Sequence, residues 1–181
     1  EKDLKKEFRF KNESKFKKSR IFKEIDDVNA VGFCIRQNRF NEGKGRNTTE
    51  NMKNSENYSN EQIKYINKSA HFIKNKLPDA KFYLWSNDFT NLKKEDLKFD
   101  FNIVDTSSFK DNFELRAFNL FLLSSCKHFI VTPSTFNWWG AWLGKNHNKI
   151  VTRPPEDFFS LFKVSNNDFW PNNWIEINEK F

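Results

Sequence analysis

The chain has little of what marks several protein classes. Its 181 residues include two cysteines, three histidines, five glycines, five prolines and one methionine. Cys34 and Cys126 cannot build a disulfide framework, and with so few histidines they offer no metal site. A reducing, cytoplasmic setting is the simplest expectation. Apolar runs such as Phe118–Leu123 are short and interrupted, far below the ~20 residues of a membrane helix. The charged N-terminus has no apolar stretch of the kind a signal peptide needs. A glycine-rich dinucleotide fingerprint and a P-loop are also absent. Composition excludes collagen and coiled coil.

What is present is aromatic and amide-rich: 22 Phe, 6 Trp and 24 Asn. That aromatic load excludes a disordered chain, and the length suits one domain with a continuous core. Four glycosylation sequons (Asn12, Asn47, Asn57, Asn67) are expected by chance in so Asn-rich a chain. The net charge of +7 is uneven. Residues 1–24 hold ten Lys/Arg against five Asp/Glu, and the remaining 21 against 19 nearly cancel. Residues 1–28 therefore read as a basic lead-in segment and 29–178 as the folded body. Residues 1–24 suit contact with anionic lipid on an inner membrane face, or with nucleic acid. They lack a basic–aromatic RNA-binding motif, and a solvated lead-in is the simpler reading.

The body alternates strand and helix. Ala30–Ile35, Lys81–Ser86, Phe101–Val104, Phe129–Thr132 and Lys149–Thr152 are short apolar strands. Ile63, Ile66, Ala70, Ile73 and Leu77 recur at helical spacing, so Glu61–Lys76 is an amphipathic helix ended by Pro78. Asn38–Asn60 is polar and reads as a long loop. Asn91–Leu97 reads as a short helix, and Phe113–Ser125 as a longer one with Leu115, Phe118, Leu122 and Leu123 inward. Ser134 or Thr135 caps a helix that runs through Trp139 and Trp142 to Leu143 and is closed by Gly144. The expected fold is α/β: a Rossmann-like parallel sheet with helices on both faces.

In such sheets ligands bind at the carboxyl ends of the strands. Here those ends carry Arg36, Ser86–Asp88, Asp105, Pro133–Thr135 and Arg153. Arg36 can fork onto a phosphate. Hydroxyls of Ser134 and Thr135 at a helix start suit an anion. Each also has a bland reading, as a surface arginine and a plain cap. Asp88 and Asp105 suit a ribose hydroxyl or a helix cap. His128 reads as structural, His71 as half-exposed, and His147 has no evident partner. Trp138, Trp139 and Trp142 read as core.

The run from Leu122 to Leu143, LLSSCKHFIVTPSTFNWWGAWL, is distinctive. It resembles the α-1,2-fucosyltransferases of glycosyltransferase family eleven, whose pattern here is close to L-M-S-x-C-K-H-x-I-x-x-N-S-T-F-S-W-W-G-A-W-L. Lys81–Asp88 (KFYLWSND), Phe101–Asp105 (FNIVD), Asn148–Arg153 (NKIVTR) and Pro171–Ile177 (PNNWIEI) resemble further family segments in the same order. The resemblance spans about residues 29–178. It implies the C-terminal, donor-binding lobe of a two-lobed (GT-B-like) glycosyltransferase, with an acceptor-side lobe of ~100 residues upstream. Beginning at Glu1 would then reflect a truncation.

The implied activity is that of a galactoside 2-α-L-fucosyltransferase. Fucose passes with inversion from GDP-β-L-fucose to the 2-hydroxyl of a galactose in a cell-surface glycan, without metal or other cofactor. The implied partners are GDP-fucose and a galactose-terminated acceptor, with no nucleic acid. Carried over residue by residue, the resemblance gives Arg36 the diphosphate and a catalytic role. Asn119 goes to the nucleobase, and Ser134, Thr135, Phe136 and Asn137 to the rest of the donor. The chain departs from the family where H-x-R-R-G-D-Y is expected. Cys34-Ile35-Arg36-Gln37-Asn38-Arg39-Phe40 keeps one arginine and puts Arg39 in place of the acid. Asn119 replaces an Asp, and loses the charge that would pair with a guanine N–H edge. Two alternatives stay open: an impaired remnant that at most binds nucleotide, and a basic nucleic-acid-binding protein.

Overall fold

A computed structural model describes residues 4, 7–106, 112–161 and 169–178. Two helices come first, α1 (Glu13–Phe16) and α2 (Arg20–Asp26). Strand β1 (Ala30–Ile35) and the long helix α3 (Thr49–Lys76) follow. Next are β2 (Lys81–Ser86), a 3-10 turn at Lys94–Asp96, β3 (Phe101–Ile103) and α4 (Asn112–Ser124). The chain continues through β4 (His128–Ile130), α5 (Thr135–Leu143), β5 (Val151–Arg153) and β6 (Ile175–Glu176). All six strands are parallel, in the order β3-β2-β1-β4-β5-β6. The strand order reverses between β1 and β4, and the expected Rossmann-like sheet is borne out.

Strand β1 is buried on both faces, which is why it reads as a continuous apolar run. Its side chains alternate. Val31, Phe33 and Ile35 meet Tyr65, Ile66, Ala70 and Ile73 of α3. Ala30 and Cys34 face the layer of Phe118, Leu122 and Leu123 of α4 and Ala141 and Trp142 of α5. Residues 13–26 belong to that second layer and are not a free tail. Phe16 and Ile25 are 1% and 0% exposed, and each such side chain contributes roughly 1.5–3 kcal/mol by leaving water. Phe10, Phe16 and Phe22 pack their rings on Phe121. Lys15, Lys17 and Arg20 pair with Glu114, Glu13 and Glu24, so part of the basic surplus is neutralised locally. Residues 1–3, 5 and 6 of the lead-in lie outside the described residues.

Several expectations need correction. Residues 49–60 are helical and not loop: Thr48 caps Asn51 N–H, and Ser55, Tyr58 and Ser59 are buried. This stretch has polar inward positions, so no apolar period marks it. The helix expected at Asn91–Leu97 is only the 3-10 turn. The last expected strand shifts to Val151–Arg153, and β6 follows it. Gly144 does end α5, but at φ −52° and not in a left-handed turn. A Cβ there would lie 2.7 Å from the Phe129 ring, and this close approach is what requires glycine. Trp142 is core and Trp138 stacks on it, whereas Trp139 is exposed beneath the ring of Phe8. His128 is structural: its Nδ1 accepts from Ile150 N–H at 3.0 Å. Among the described residues no helix is long and apolar enough to cross a membrane.

Candidate functional site

The segment that leaves β1 is held by two side-chain amides. Gln62, fully buried on α3, accepts from Arg36 N–H at 2.9 Å and donates to Arg36 C=O at 3.0 Å. Asn87, just after β2, does the same for Gln37, at 2.8 and 3.1 Å. Ser59 donates to the Gln37 side chain, and Ser55 accepts from Phe40 N–H. Asn38 takes the left-handed conformation (φ 57°) and donates to Asp88 at 3.0 Å. The Arg36 backbone is thus fixed by neighbours on α3 and the β2 loop. Its guanidinium pairs with Glu42, which also accepts from Asn87 Nδ2.

The segment that leaves β4 is tied to the same place. Thr132 Oγ1 donates to Cys34 C=O, and Tyr58 OH donates to Pro133 C=O. Ser134 is the N-cap of α5, and its hydroxyl makes no capping hydrogen bond. Asn137 is fully buried, with Nδ2 donating to Ile130 C=O at 2.9 Å and to Thr132 Oγ1 at 3.3 Å. It fixes the entry into α5.

The two segments flank the switch point, and above it opens a cavity of about 900 Å³. Arg36, Asn119, Ser134 and Phe136 line it; Thr135 and Asn137 do not. Thr135 is exposed outside and Asn137 lies beneath the loop. Asn119 exchanges hydrogen bonds with Thr106 and donates to Leu115 C=O. Of the strand-end residues, Ser86, Asn87 and Asp105 line the cavity. Asp88 does not: it accepts from the Thr90 hydroxyl and N–H, which hold its carboxyl below the usual range. Arg153 pairs with Glu176 at 2.7 Å and ties β5 to β6.

Sequence reasoning missed Trp85 and Arg116, both in the cavity wall. Arg116 sits three residues before Asn119 on α4, a spacing that shares one helix face and would have marked it. Trp85 gave no such signal, because an aromatic at the end of a strand reads as core. A second cavity, of about 1030 Å³, lies near the amino ends of β1 and β4 and contains none of the expected residues.

This arrangement suits an anionic ligand with an apolar and hydrogen-bonding portion. One arginine, a serine hydroxyl and a helix N-terminus converge at the switch point, and the pocket extends over β2 and β3.

Comparison with known proteins identifies the family. A family model described as glycosyl transferase family 11 matches residues 45–178, a stretch that begins beyond Arg36. An alpha-1,2-colitosyltransferase of Escherichia coli is 27% identical over 116 residues, covering 64% of this chain and 39% of that protein. The O-antigen biosynthesis glycosyltransferase WbnK of Escherichia coli is 47% identical over 45 residues, covering 25% of this chain and 15% of its own length. The chain thus spans well under half the length of these curated relatives. No solved structure gives a significant match. With the family model covering most of its length, the chain belongs to glycosyltransferase family 11.

Proposed function

We propose that this chain is the donor-binding part of an inverting α-1,2-glycosyltransferase. It binds GDP-β-L-fucose, and the reaction places fucose on the 2-hydroxyl of a galactose-terminated glycan. One observation carries the reading: Arg36 and the Ser134 end of α5, from opposite sides of the switch point, line one nucleotide-sized cavity. As the bond from the sugar's anomeric carbon to the β-phosphate breaks, negative charge grows on that phosphate. Arg36, the Ser134 hydroxyl and the first amides of α5 meet this charge in a partly enclosed site. Removing one such donor typically slows a reaction by about 10²–10³-fold. The acceptor's proton needs a base.

A second reading, transfer of colitose in α-1,2 linkage, is favoured by the name of the relative at 27% identity. Both readings share the nucleotide-sugar site and differ at the sugar.

Calorimetric titration of GDP and GDP-fucose, with Arg36→Ala as control, tests the proposal. Binding by the wild type that weakens at least tenfold in Arg36→Ala supports it. No binding by the folded wild type refutes it. Competition between fucosyl and colitosyl donors separates the two readings.

A further inference from the structure

Trp85 is a wall residue of the donor cavity that carries an unpartnered donor. Trp85 is 6% exposed, and its buried indole Nε1–H has no hydrogen-bond partner among the described residues. Buried indole N–H groups ordinarily find an acceptor, so an orphan calls for an explanation. Among the described residues, of the buried side-chain polar atoms without a partner, this one alone belongs to a residue lining either large cavity.

Its place in the sheet narrows what the missing acceptor is. Trp85 stands opposite Cys34 of β1, two residues before Arg36. On the other side of β2, Leu84 stands opposite Ile103 of β3. Ile103, Asp105 and Asn119 form that side of the cavity. With the diphosphate at Arg36 and Ser134, the part of the ligand that lies over β2 and β3 is the nucleoside.

We infer that Trp85 is a nucleoside-binding residue, whose indole N–H donates to an oxygen of the ribose or base of the bound nucleotide. The inference rests on the nucleotide-sugar reading above. Loss of the N–H weakens the complex, where the bond is made, whatever the packing change does to the free protein.

Trp85→Phe keeps an aromatic ring and removes the donor. GMP, GDP and GDP-fucose are titrated into wild type and variant. The expected loss is roughly tenfold, the size of one buried hydrogen bond, and equal for all three ligands, because they share the nucleoside. The free variant loses packing in the core as well as the unpaired donor, so its melting transition serves to show that it is folded. As a second readout, the Trp85 indole ¹H–¹⁵N resonance, assigned in the wild type, should move downfield on adding GMP. If the wild type binds none of the three, the donor reading and this inference both fall. If it binds them and Trp85→Phe binds equally well, or the resonance stays still, the Trp85 inference alone falls. A loss confined to GDP-fucose places the acceptor on the sugar and overturns the nucleoside assignment.

Discussion

Gln62 should matter out of proportion to its distance from any ligand. Its amide satisfies both main-chain groups of Arg36, at 2.9 and 3.0 Å, from a fully buried position on α3. Gln62→Leu keeps a similar volume and removes both bonds. Each contributes about 1 kcal/mol net, and a main-chain group left buried without a partner costs about 1–3 kcal/mol. Partial access of water to the Arg36 segment relieves some of this, and the expected loss is about 2–4 kcal/mol. With a urea slope of about 2 kcal/mol/M, the unfolding midpoint, followed by tryptophan emission, falls by about 1–2 M. Gln62→Glu sharpens the test. A carboxylate still accepts from Arg36 N–H but faces Arg36 C=O without a proton to give. Its protonated form regains one donor, and burial raises its pKa, so this variant's deficit should shrink as pH falls. A Gln62→Leu midpoint within about 0.3 M of wild type would refute the claim that this amide holds the segment.

Two further outcomes follow from the packing. A Cβ on Gly140 would lie 2.4 Å from Leu123 Cδ2 and 2.5 Å from its Cγ. Gly140→Ala should therefore lower stability through overpacking of about 1–3 kcal/mol, against a helix-propensity gain of about 1 kcal/mol. In a Leu123→Ala background the clash is gone and the same change should stabilise; urea midpoints of the same sign in both backgrounds would contradict this. Burial, assisted by Lys127, lowers the pKa of His128 in the folded chain. The unfolded chain takes up this proton more readily, so the contribution is complete above the ordinary value of about 6.5 and is lost as pH falls below it. Between pH 7 and 5.5, wild-type stability should decline. His128→Asn, whose Oδ1 can accept from Ile150 N–H, should flatten that decline, and an unchanged slope would exclude His128 as its source.

How far the sequence reveals this protein depends on which forces placed each residue. Strands β1 and β2 are legible to the residue because both are apolar runs buried between two layers. The first three turns of α3 are not. Their inward positions are Ser55, Tyr58 and Ser59: the two serines hydrogen-bond the segment after β1 and the Tyr58 hydroxyl the segment after β4. Hydrophobic periodicity cannot register such a helix, and the same turns hold Gln37 and Phe40 beside Arg36. The candidate site divides in the same way. Arg36 and Ser134 are legible from strand ends and a helix start, because topology alone brings those ends together. Asn137 looks like its neighbours in sequence, yet one helical step turns its amide under the loop onto Ile130 C=O. Trp85 is hidden for a chemical reason: in sequence an indole counts as bulk, and its donor becomes visible only when the surrounding acceptors are counted and none is found. Strand ends and caps say where a ligand goes. The unpaired donor of Trp85 exists only in the folded chain.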